Sequence, residues 1–303
     1  MFHESILLKC VLPPEDMKMN WHFVICILLI ACSMVCPILH AQVKFDEVYG
    51  DGPHLFSLAT GSPGELGLVR ALGEAFSARA GTAVQWMKAG SGESLEALRE
   101  KKVDMVMAHA PAAEKKAVEE GWAAKRTLIG SNEFFIVGPS GDPANLSQAQ
   151  SVVDAYIRIA TVKVKFFSRG DDSGTHKKEM DVWRKAGITP SGDWYIVAAD
   201  FMTATLKRAN DEKGYFMVDS STWVAEKKNV PNLKVLFGGD KFLVNTYHAL
   251  VQPANATSGA AYAANFIDFV ASDEGQTIIR EYGKEKYGEA VYSDAAYAER
   301  YED

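Results

Sequence analysis

The stretch of sequence that decides the fold runs from residue 54 to residue 89 and reads HLFSLATGSPGELGLVRALGEAFSARAGTAVQWMKA. Its first seven residues predict a buried strand, because an apolar run leads directly into the turn residues 61–64. A helix follows, with apolar residues at helical spacing and Gly81 at its end. Residues 82–89 predict a second strand. A strand, a helix and a strand in this order form a βαβ unit with parallel strands.

The same alternation of strand and helix extends to residue 282. Further strands are predicted at 103–108, 134–139, 162–167, 195–197, 214–218, 234–237 and 247–251. Further helices are predicted at 93–102, 111–121, 173–186, 202–210, 260–270 and 274–282. The expected fold class is α/β, with two lobes built on mostly parallel sheets.

The lobe boundary follows from a break after the strand at 134–139, where two Gly and two Pro residues occur within 138–143. We expect residues 42–138 to form the first part of lobe 1 and residues 139–245 to form lobe 2. Residues 246–303 return to lobe 1 across a hinge.

Composition excludes several classes of protein. The chain has 303 residues, of which 48% are apolar, so it can bury a core and is not disordered. The formal net charge is −7, which argues against nucleic acid as a partner. It does not argue against a small anion, because such sites are local and use neutral donors. We expect a monomer.

The N-terminal 41 residues have the pattern of a secretory signal peptide, with an apolar run at 23–31 and the small residue Ala41 before the predicted cleavage point. Acidic residues within 1–16 indicate an over-extended start, with the true start at Met17 or Met19. The run 29–32 also resembles a lipoprotein box, in which Cys32 would be acylated. All four Cys residues precede Ala41, so the exported chain would contain no thiol. The predicted location is periplasmic or secreted, with a lipid anchor at Cys32 as the alternative.

Three strand-to-helix turns share small hydroxyl residues and glycines, namely 60–62, 90–92 and 168–175. The N-termini of helices present unpaired backbone N–H groups and a positive dipole end, and hydroxyls add further donors. With Arg169 in the third turn, the set suits an oxyanion. Each turn taken singly is also ordinary capping chemistry. Two carboxylates beside Arg169 indicate an arginine held in a fixed orientation.

The sequence lacks the usual catalytic patterns. It has no nucleophile elbow, no phosphate loop with its Gly-Lys pair, and no metal-ligand spacing of histidines. We therefore expect no catalytic residue, no cofactor and no protein-bound metal. Two alternatives remain open: a secreted hydrolase of phosphate or sulfate esters that uses His176 and Asp172, and a sensor with the same fold.

The run 168–179, SRGDDSGTHKKE, resembles the tungstate-binding proteins (TupA type) of bacterial ABC importers. The turn at 89–92 and the segment 104–111, DMVMAHAP, are also similar to that family, and the resemblance covers about residues 54–282. It implies a type II periplasmic-binding-protein fold with two lobes that close on a tetrahedral oxyanion. It also implies an ABC permease and its ATPase as partners. Tungsten would be bound only as tungstate.

The resemblance implies ligand-binding roles for six residues: Thr60, Ser62, Ser91, Arg169, Ser173 and Thr175. The first turn departs from the family, because TGSPG at 60–64 is poorer in hydroxyls than the family's Thr-Thr-Thr-Ser run. Molybdate, sulfate and phosphate therefore remain open as ligands beside tungstate. Phosphate would benefit from an acceptor, which Asp171 or Asp172 could supply.

Overall fold

A computed structural model of the chain describes residues 43–302, and the chain from Lys44 onward forms one compact unit. The predicted signal peptide, its two cleavage points and the four cysteines lie outside the described residues. Within 43–302, no helix is long and apolar enough to cross a membrane.

The described chain contains eleven strands. They are β1 (Glu47–Tyr49), β2 (His54–Thr60), β3 (Thr82–Lys88), β4 (Met105–Ala108), β5 (Ala124–Pro139), β6 (Phe166–Ser168), β7 (Tyr195–Val197), β8 (Tyr215–Asp219), β9 (Leu233–Phe237), β10 (Val244–Val251) and β11 (Ser293–Asp294).

Twelve α-helices connect or follow the strands within residues 43–302. They are α1 (Ser62–Glu65), α2 (Leu68–Ala80), α3 (Ser91–Arg99), α4 (Pro111–Glu119), α5 (Val152–Val162), α6 (Gly174–Lys185), α7 (Met202–Glu212), α8 (Ser220–Glu226), α9 (Ala260–Ala271), α10 (Asp273–Glu281), α11 (Lys284–Tyr287) and α12 (Ala295–Ala298).

The strands form two mixed sheets that share the long strand β5. Sheet A has the order β1-β3-β2-β4-β10-β5, and sheet B has the order β5-β8-β6-β7 with β9 also on β5. Parallel strands occupy the middle of sheet A, where they are β3, β2 and β4, and one end of sheet B, where they are β7, β6 and β8. We call sheet A with its helices lobe 1 and sheet B with its helices lobe 2. The expected α/β class is confirmed.

The chain crosses between the sheets twice. Strand β5 pairs with β10 up to Glu133 and with β8 from Phe134 onward, so the first crossing lies inside a strand. The chain returns to sheet A at Val244, where β10 begins. These crossings lie close to the boundaries predicted after residues 138 and 245, which stay predictions.

Each sheet is covered by its own apolar core. In lobe 1, Phe56 packs against Phe76 and Phe266 from α2 and α9. In lobe 2, Trp183 of α6 lies against Tyr156 of α5 with ring centroids 4.4 Å apart. Buried aromatic rings of this size contribute much of the core's stabilisation.

Three of the element predictions are wrong in part. Strand β5 begins ten residues before the predicted start at 134, because pairing with β10 holds the polar segment 124–133 extended. The alternation in 162–167 predicts a strand, but Val162 is the last residue of α5 and β6 begins at Phe166. The prediction omits helices α5 and α8 altogether. In the structure, Ser151 is the N-cap of α5, and Lys163 ends that helix in the left-handed region with φ 56°.

The register of the parallel strands positions the turns. Thr60 lies opposite Lys88 at the ends of β2 and β3, and β4 ends beside them. In lobe 2, β6 and β8 are likewise parallel neighbours and end at Ser168 and Asp219. The carboxyl ends of parallel strands meet at one sheet edge, which is where open α/β sheets bind ligands.

Candidate functional site

A cavity lies between the carboxyl ends of the strands of both lobes. Most of the residues that line it lie at the ends of strands or the starts of helices, and the lining consists of Gly61, Ser62, Pro63, Glu65, Gly90, Ser91, His109, Arg169, Ser173, Thr175, Phe201, Asp219 and Tyr247. Five of the six predicted site residues are therefore brought together, although they are spread over more than 110 positions of the chain.

Arg169 follows β6 and is only 5% exposed. Its Nη2 contacts Asp171 in an ion pair, and its Nε donates to the carbonyl oxygen of Asp200 at 3.3 Å. Asp171 also accepts from the backbone N–H of Ser173 at 3.2 Å. The prediction that a neighbouring carboxylate orients Arg169 is confirmed for Asp171. A guanidinium held in this way offers its remaining N–H donors in a fixed direction.

The start of α6 supplies donors from lobe 2. Ser173 is the N-cap, and its Oγ accepts from the backbone N–H of His176 at 3.3 Å. Thr175 is 1% exposed, and its Oγ1 has no hydrogen-bond partner within residues 43–302. Because an unpartnered buried hydroxyl is costly, such a group in a cavity lining indicates a missing polar partner.

The start of α3 supplies donors from lobe 1. Ser91 is buried, and its Oγ accepts from the backbone N–H of His109 at 3.1 Å, which leaves its own hydroxyl proton free for another acceptor. The first amides of α3 lack acceptors inside the helix, as in every helix. Ser62 begins the short helix α1, and its Oγ donates to Asp219 at 3.4 Å.

Thr60 is the one predicted site residue that does not line the cavity. Its Oγ1 donates to the carbonyl oxygen of Met107 at 2.8 Å, across the pair β2 and β4. The side chain at the end of β2 therefore joins two strands, and the lining at this turn comes from Gly61 and Ser62.

The starts of α3 and α6 approach each other closely across the cavity. A Cβ on Gly90 would lie 3.3 Å from Cβ of Ser173, and a Cβ on Gly92 would lie 2.8 Å from the carbonyl oxygen of Asp172. Glycine at these positions allows the backbones of the two lobes to touch. The positive ends of two helices thus point toward the same small space, which favours an anion there.

Asp219 is a carboxylate in this lining, and donors surround it. It caps α8 by accepting from the backbone N–H and the hydroxyl of Thr222, both at 2.8 Å. Ser221 Oγ and Asn132 Nδ2 also donate to it, the latter at 3.2 Å. These donors stabilise the negative charge locally, so that it opposes a bound anion less.

A chain of hydrogen bonds runs from Asp219 to His109. Asn132 donates to Asp219, Asn245 Nδ2 donates to Asn132 Oδ1 at 2.7 Å, and His109 Nδ1 lies 2.8 Å from Asn245 Oδ1. Because a carboxylate only accepts, the direction of each bond follows, and the proton of His109 is on Nδ1. Burial lowers the pKa of His109 to about 4, so the ring is neutral at pH 7.

Sequence reasoning missed several lining residues. From the sequence, His109 is interpreted as a turn residue whose hydrogen bonds are satisfied locally. In the structure it lines the cavity and forms a hydrogen bond with Asn245. Phe201 and Tyr247 stand in no hydroxyl-rich turn, whereas Asp219 immediately precedes the hydroxyl-rich run 220–222, which sequence reasoning did not single out. The available signal for Asp219 was its position as the last residue of β8.

The residues of the hydrolase alternative are not in the cavity. His176 Nδ1 accepts from the backbone N–H of Asp172 at 3.1 Å, and the side chain of Asp172 is 79% exposed. Neither residue belongs to the lining. Over residues 43–302, no group of three or more His, Cys, Asp or Glu side chains could hold a metal ion.

Fold and site together define a two-lobed ligand-binding protein, and the family comparison agrees. The family model described as the PBP superfamily domain matches residues 49–274. The tungstate-binding protein TupA of Peptoclostridium acidaminophilum is 35% identical over 241 residues, which are 78% of this chain and 84% of that protein. The chain belongs to the PBP superfamily and, within it, to the family of the TupA tungstate-binding proteins.

Two solved structures are similar over most of the chain. The tungstate ABC transporter structure from Geobacter sulfurreducens has 32% sequence identity and a TM-score of 0.70, and covers 77% of this chain and 100% of its own. The tungstate-binding protein TupA from Desulfovibrio alaskensis G20 has 33% identity and a TM-score of 0.66, and covers 80% of this chain and 98% of its own.

Proposed function

We propose that this chain is the oxyanion-binding component of an ABC importer and that its ligand is tungstate. The observation that carries the proposal is the unpartnered hydroxyl of Thr175 beside the buried Arg169, in a cavity formed by both lobes. A fully deprotonated tetrahedral oxyanion would supply the acceptor that Thr175 lacks. The family's named tungstate-binding members support the choice of anion.

The donor set suits an anion that only accepts hydrogen bonds. Arg169 is the only charged donor among the lining residues, and the others are hydroxyls and amides at the starts of helices. Tungstate, molybdate and sulfate carry no proton at neutral pH, whereas phosphate does. The carboxylates near the cavity are already engaged, since Asp171 holds Arg169 and Asp219 accepts from Thr222. We therefore place phosphate last among the four anions.

Calorimetry of the purified chain without residues 1–41 tests this proposal. Tungstate, molybdate, sulfate and phosphate are titrated separately at fixed pH and ionic strength. We expect tungstate to bind most tightly and phosphate most weakly. Tightest binding of phosphate would contradict the assignment of the ligand, and absence of binding to all four anions would contradict the proposed function.

We propose that the protein binds its oxyanion and does not hydrolyse phosphate or sulfate esters. The support is that His176 and Asp172 do not line the cavity, and that His109 is neutral with its Nδ1 proton engaged by Asn245. Incubation with aryl phosphates and aryl sulfates tests the point, with release of the phenol as the measure. Turnover that is lost in the variant His176→Ala would favour the hydrolase instead.

We propose that closure takes place about the two crossings of the chain, in β5 after Glu133 and at Val244. The lobe boundaries at 138/139 and 245/246 belong to the same proposal. Two short connections between lobes allow a hinge rotation that brings the donors of α3 and α6 together. The closed protein would act as a monomer and deliver its anion to an ABC permease driven by an ATPase.

We propose export with removal of residues 1–41, because these residues have the pattern of a secretory signal peptide, and the mature chain would contain no thiol because all four Cys residues precede Ala41. Mass spectrometry of the exported protein distinguishes the alternatives. A mature chain that begins at Gln42 has no cysteine, whereas acylation would leave a lipid on Cys32. A chain that retains Met17 in the exported fraction would contradict the proposal.

A further inference from the structure

Phe201 is in contact with charged side chains of both lobes. It precedes α7 in lobe 2, lines the cavity and is partly exposed to solvent. The guanidinium carbon of Arg169 lies 5.7 Å from its ring centroid, and Nζ of Lys88 lies 4.2 Å from the same centroid. Lys88 belongs to lobe 1, because it ends β3.

The backbone of Phe201 is held in place by lobe 2. Its N–H donates to Oδ1 of Asp200 at 2.7 Å, and its carbonyl accepts from the hydroxyl of Thr205 at 3.0 Å. The carbonyl of Asp200 accepts from Nε of Arg169. The ring is therefore positioned by the same arginine that we place in the oxyanion site.

The Lys88 side chain, which contacts Phe201 from lobe 1, is also held in position. Nζ of Lys88 lies 2.6 Å from Oε1 of Glu65, a lining residue that follows the first turn. An ammonium group placed over an aromatic ring and paired with a carboxylate has a fixed position. When the lobes separate, Lys88 and Glu65 move together with lobe 1, and Phe201 stays with Arg169 in lobe 2.

We propose that Phe201 and Lys88 form an interlobe latch that closes the cavity over the bound oxyanion and controls its release. This inference rests on the proposed function, since it assigns these two residues a role at the same site. The latch contact exists only in the closed protein. Its loss should therefore accelerate dissociation and leave association nearly unchanged, as is usual for contacts made after encounter.

The experiment measures the association and dissociation rates of tungstate by stopped-flow tryptophan fluorescence, with molybdate, sulfate and phosphate in parallel. Phe201→Leu keeps the apolar bulk and the net charge but removes the ring. We expect its dissociation rate to rise by about three- to tenfold, which lies within the range for loss of a cation–π contact. Its association rate should change by less than about twofold.

Lys88→Met removes the cation and keeps the length of the side chain. We expect a rise in the dissociation rate here too. The rise in the double variant Lys88→Met with Phe201→Leu should be smaller than the product of the two single rises, because both changes break the contact between Lys88 and Phe201. If Lys88→Met also weakens the long-range attraction of the anion, its association rate will fall, and this decrease will disappear at high salt. The increase in its dissociation rate should remain at high salt.

Lys185→Met is the matched control. Nζ of Lys185 lies 4.7 Å from the ring centroid of Phe242, a similar contact far from the cavity lining. We expect wild-type rates for this variant. Binding by the wild-type protein together with unchanged dissociation from Phe201→Leu would overturn the latch alone. Absence of binding by the wild-type protein to all four anions would overturn the latch and the proposed function together.

Discussion

Arg169 supplies the only full positive charge among the residues that line the cavity. An oxyanion enclosed between two lobes loses its water, so fixed donors must compensate its charge. Arg169→Ala should weaken tungstate binding by about 2–5 kcal/mol, the range for truncating one partner of a buried charged pair. Arg169→Lys should restore only part of the tungstate affinity that Arg169→Ala loses, because an ammonium group makes a point contact instead of the two-pronged contact of a planar guanidinium.

Calorimetry against tungstate measures both Arg169 variants, with circular dichroism as the check on folding. Arg184→Ala is the matched control, because its side chain is 75% exposed and pairs with Asp181 on the same helix. Undiminished affinity in a folded Arg169→Ala protein would remove this residue from the site.

Two hydroxyls of the lining should differ in their contribution to binding. Oγ of Ser62 already donates to Asp219, whereas Oγ1 of Thr175 has no partner within residues 43–302. Ser62→Ala should cost about 1 kcal/mol of tungstate affinity, and Thr175→Val about 1.5–3 kcal/mol, the range for a hydrogen bond to a charged group. Equal losses measured by calorimetry, or complete loss in Ser62→Ala, would show that the first turn is more central than we infer.

At the scale of elements, helix α6 is joined to β7 by a buried carboxyl group. Glu179 accepts from Nε1 of Trp183 at 3.1 Å and from the hydroxyl of Tyr195 at 2.7 Å. Burial raises the pKa of Glu179 to about 7. The folded protein therefore holds a proton on Glu179 at pH values where the unfolded chain has released it.

Glu179→Gln should remove this pH dependence, because glutamine stays neutral. A raised carboxyl pKa stabilises the fold fully below the unfolded pKa, and this stabilisation is lost as pH rises through the folded pKa. Between pH 4.5 and 7, the free energy of unfolding of the wild type should fall relative to the variant by about 3 kcal/mol at most, at about 1.4 kcal/mol per unit of pKa. Urea denaturation across this range measures it, and parallel pH profiles would contradict it.

At the scale of the whole molecule, closure depends on how closely the lobes can approach. A Cβ on Gly92 would lie 2.7 Å from Oδ2 of Asp172 and 2.8 Å from its carbonyl oxygen. The backbone oxygen cannot move aside as a side chain could. Gly92→Ala should therefore hold the lobes slightly apart and cost roughly 1–3 kcal/mol of tungstate affinity, as overpacking does.

Each lobe keeps its own core in Gly92→Ala, so thermal unfolding without ligand should match the wild type. Gly141→Ala serves as the control, because nothing lies within 4 Å of a Cβ at that position. X-ray scattering with and without tungstate measures closure directly. A full decrease in the radius of gyration in Gly92→Ala would show that the close approach does not limit closure.

The local sequence is enough to predict most of the strands and helices and the chemistry of the turns. Apolar runs and the glycine at the end of α2 predict β2, α2 and β3. The hydroxyl-rich turns predict the candidate donors Ser91, Ser173 and Thr175. These features are local, because strand periodicity, capping and turn formation depend on neighbours in the chain. The polar first half of β5 has no such local signal, and its pairing with β10 made it a strand.

Which side chains meet in the cavity depends on the tertiary structure. It turned Thr60 toward Met107 and away from the lining, and it brought Asp219 and Phe201 into the site from lobe 2. The direction of a side chain depends on the partner that satisfies it, and that partner can lie far away in the chain. The contact of Lys88 with Phe201 likewise depends on the tertiary structure, because it joins a residue of lobe 1 to a residue of lobe 2.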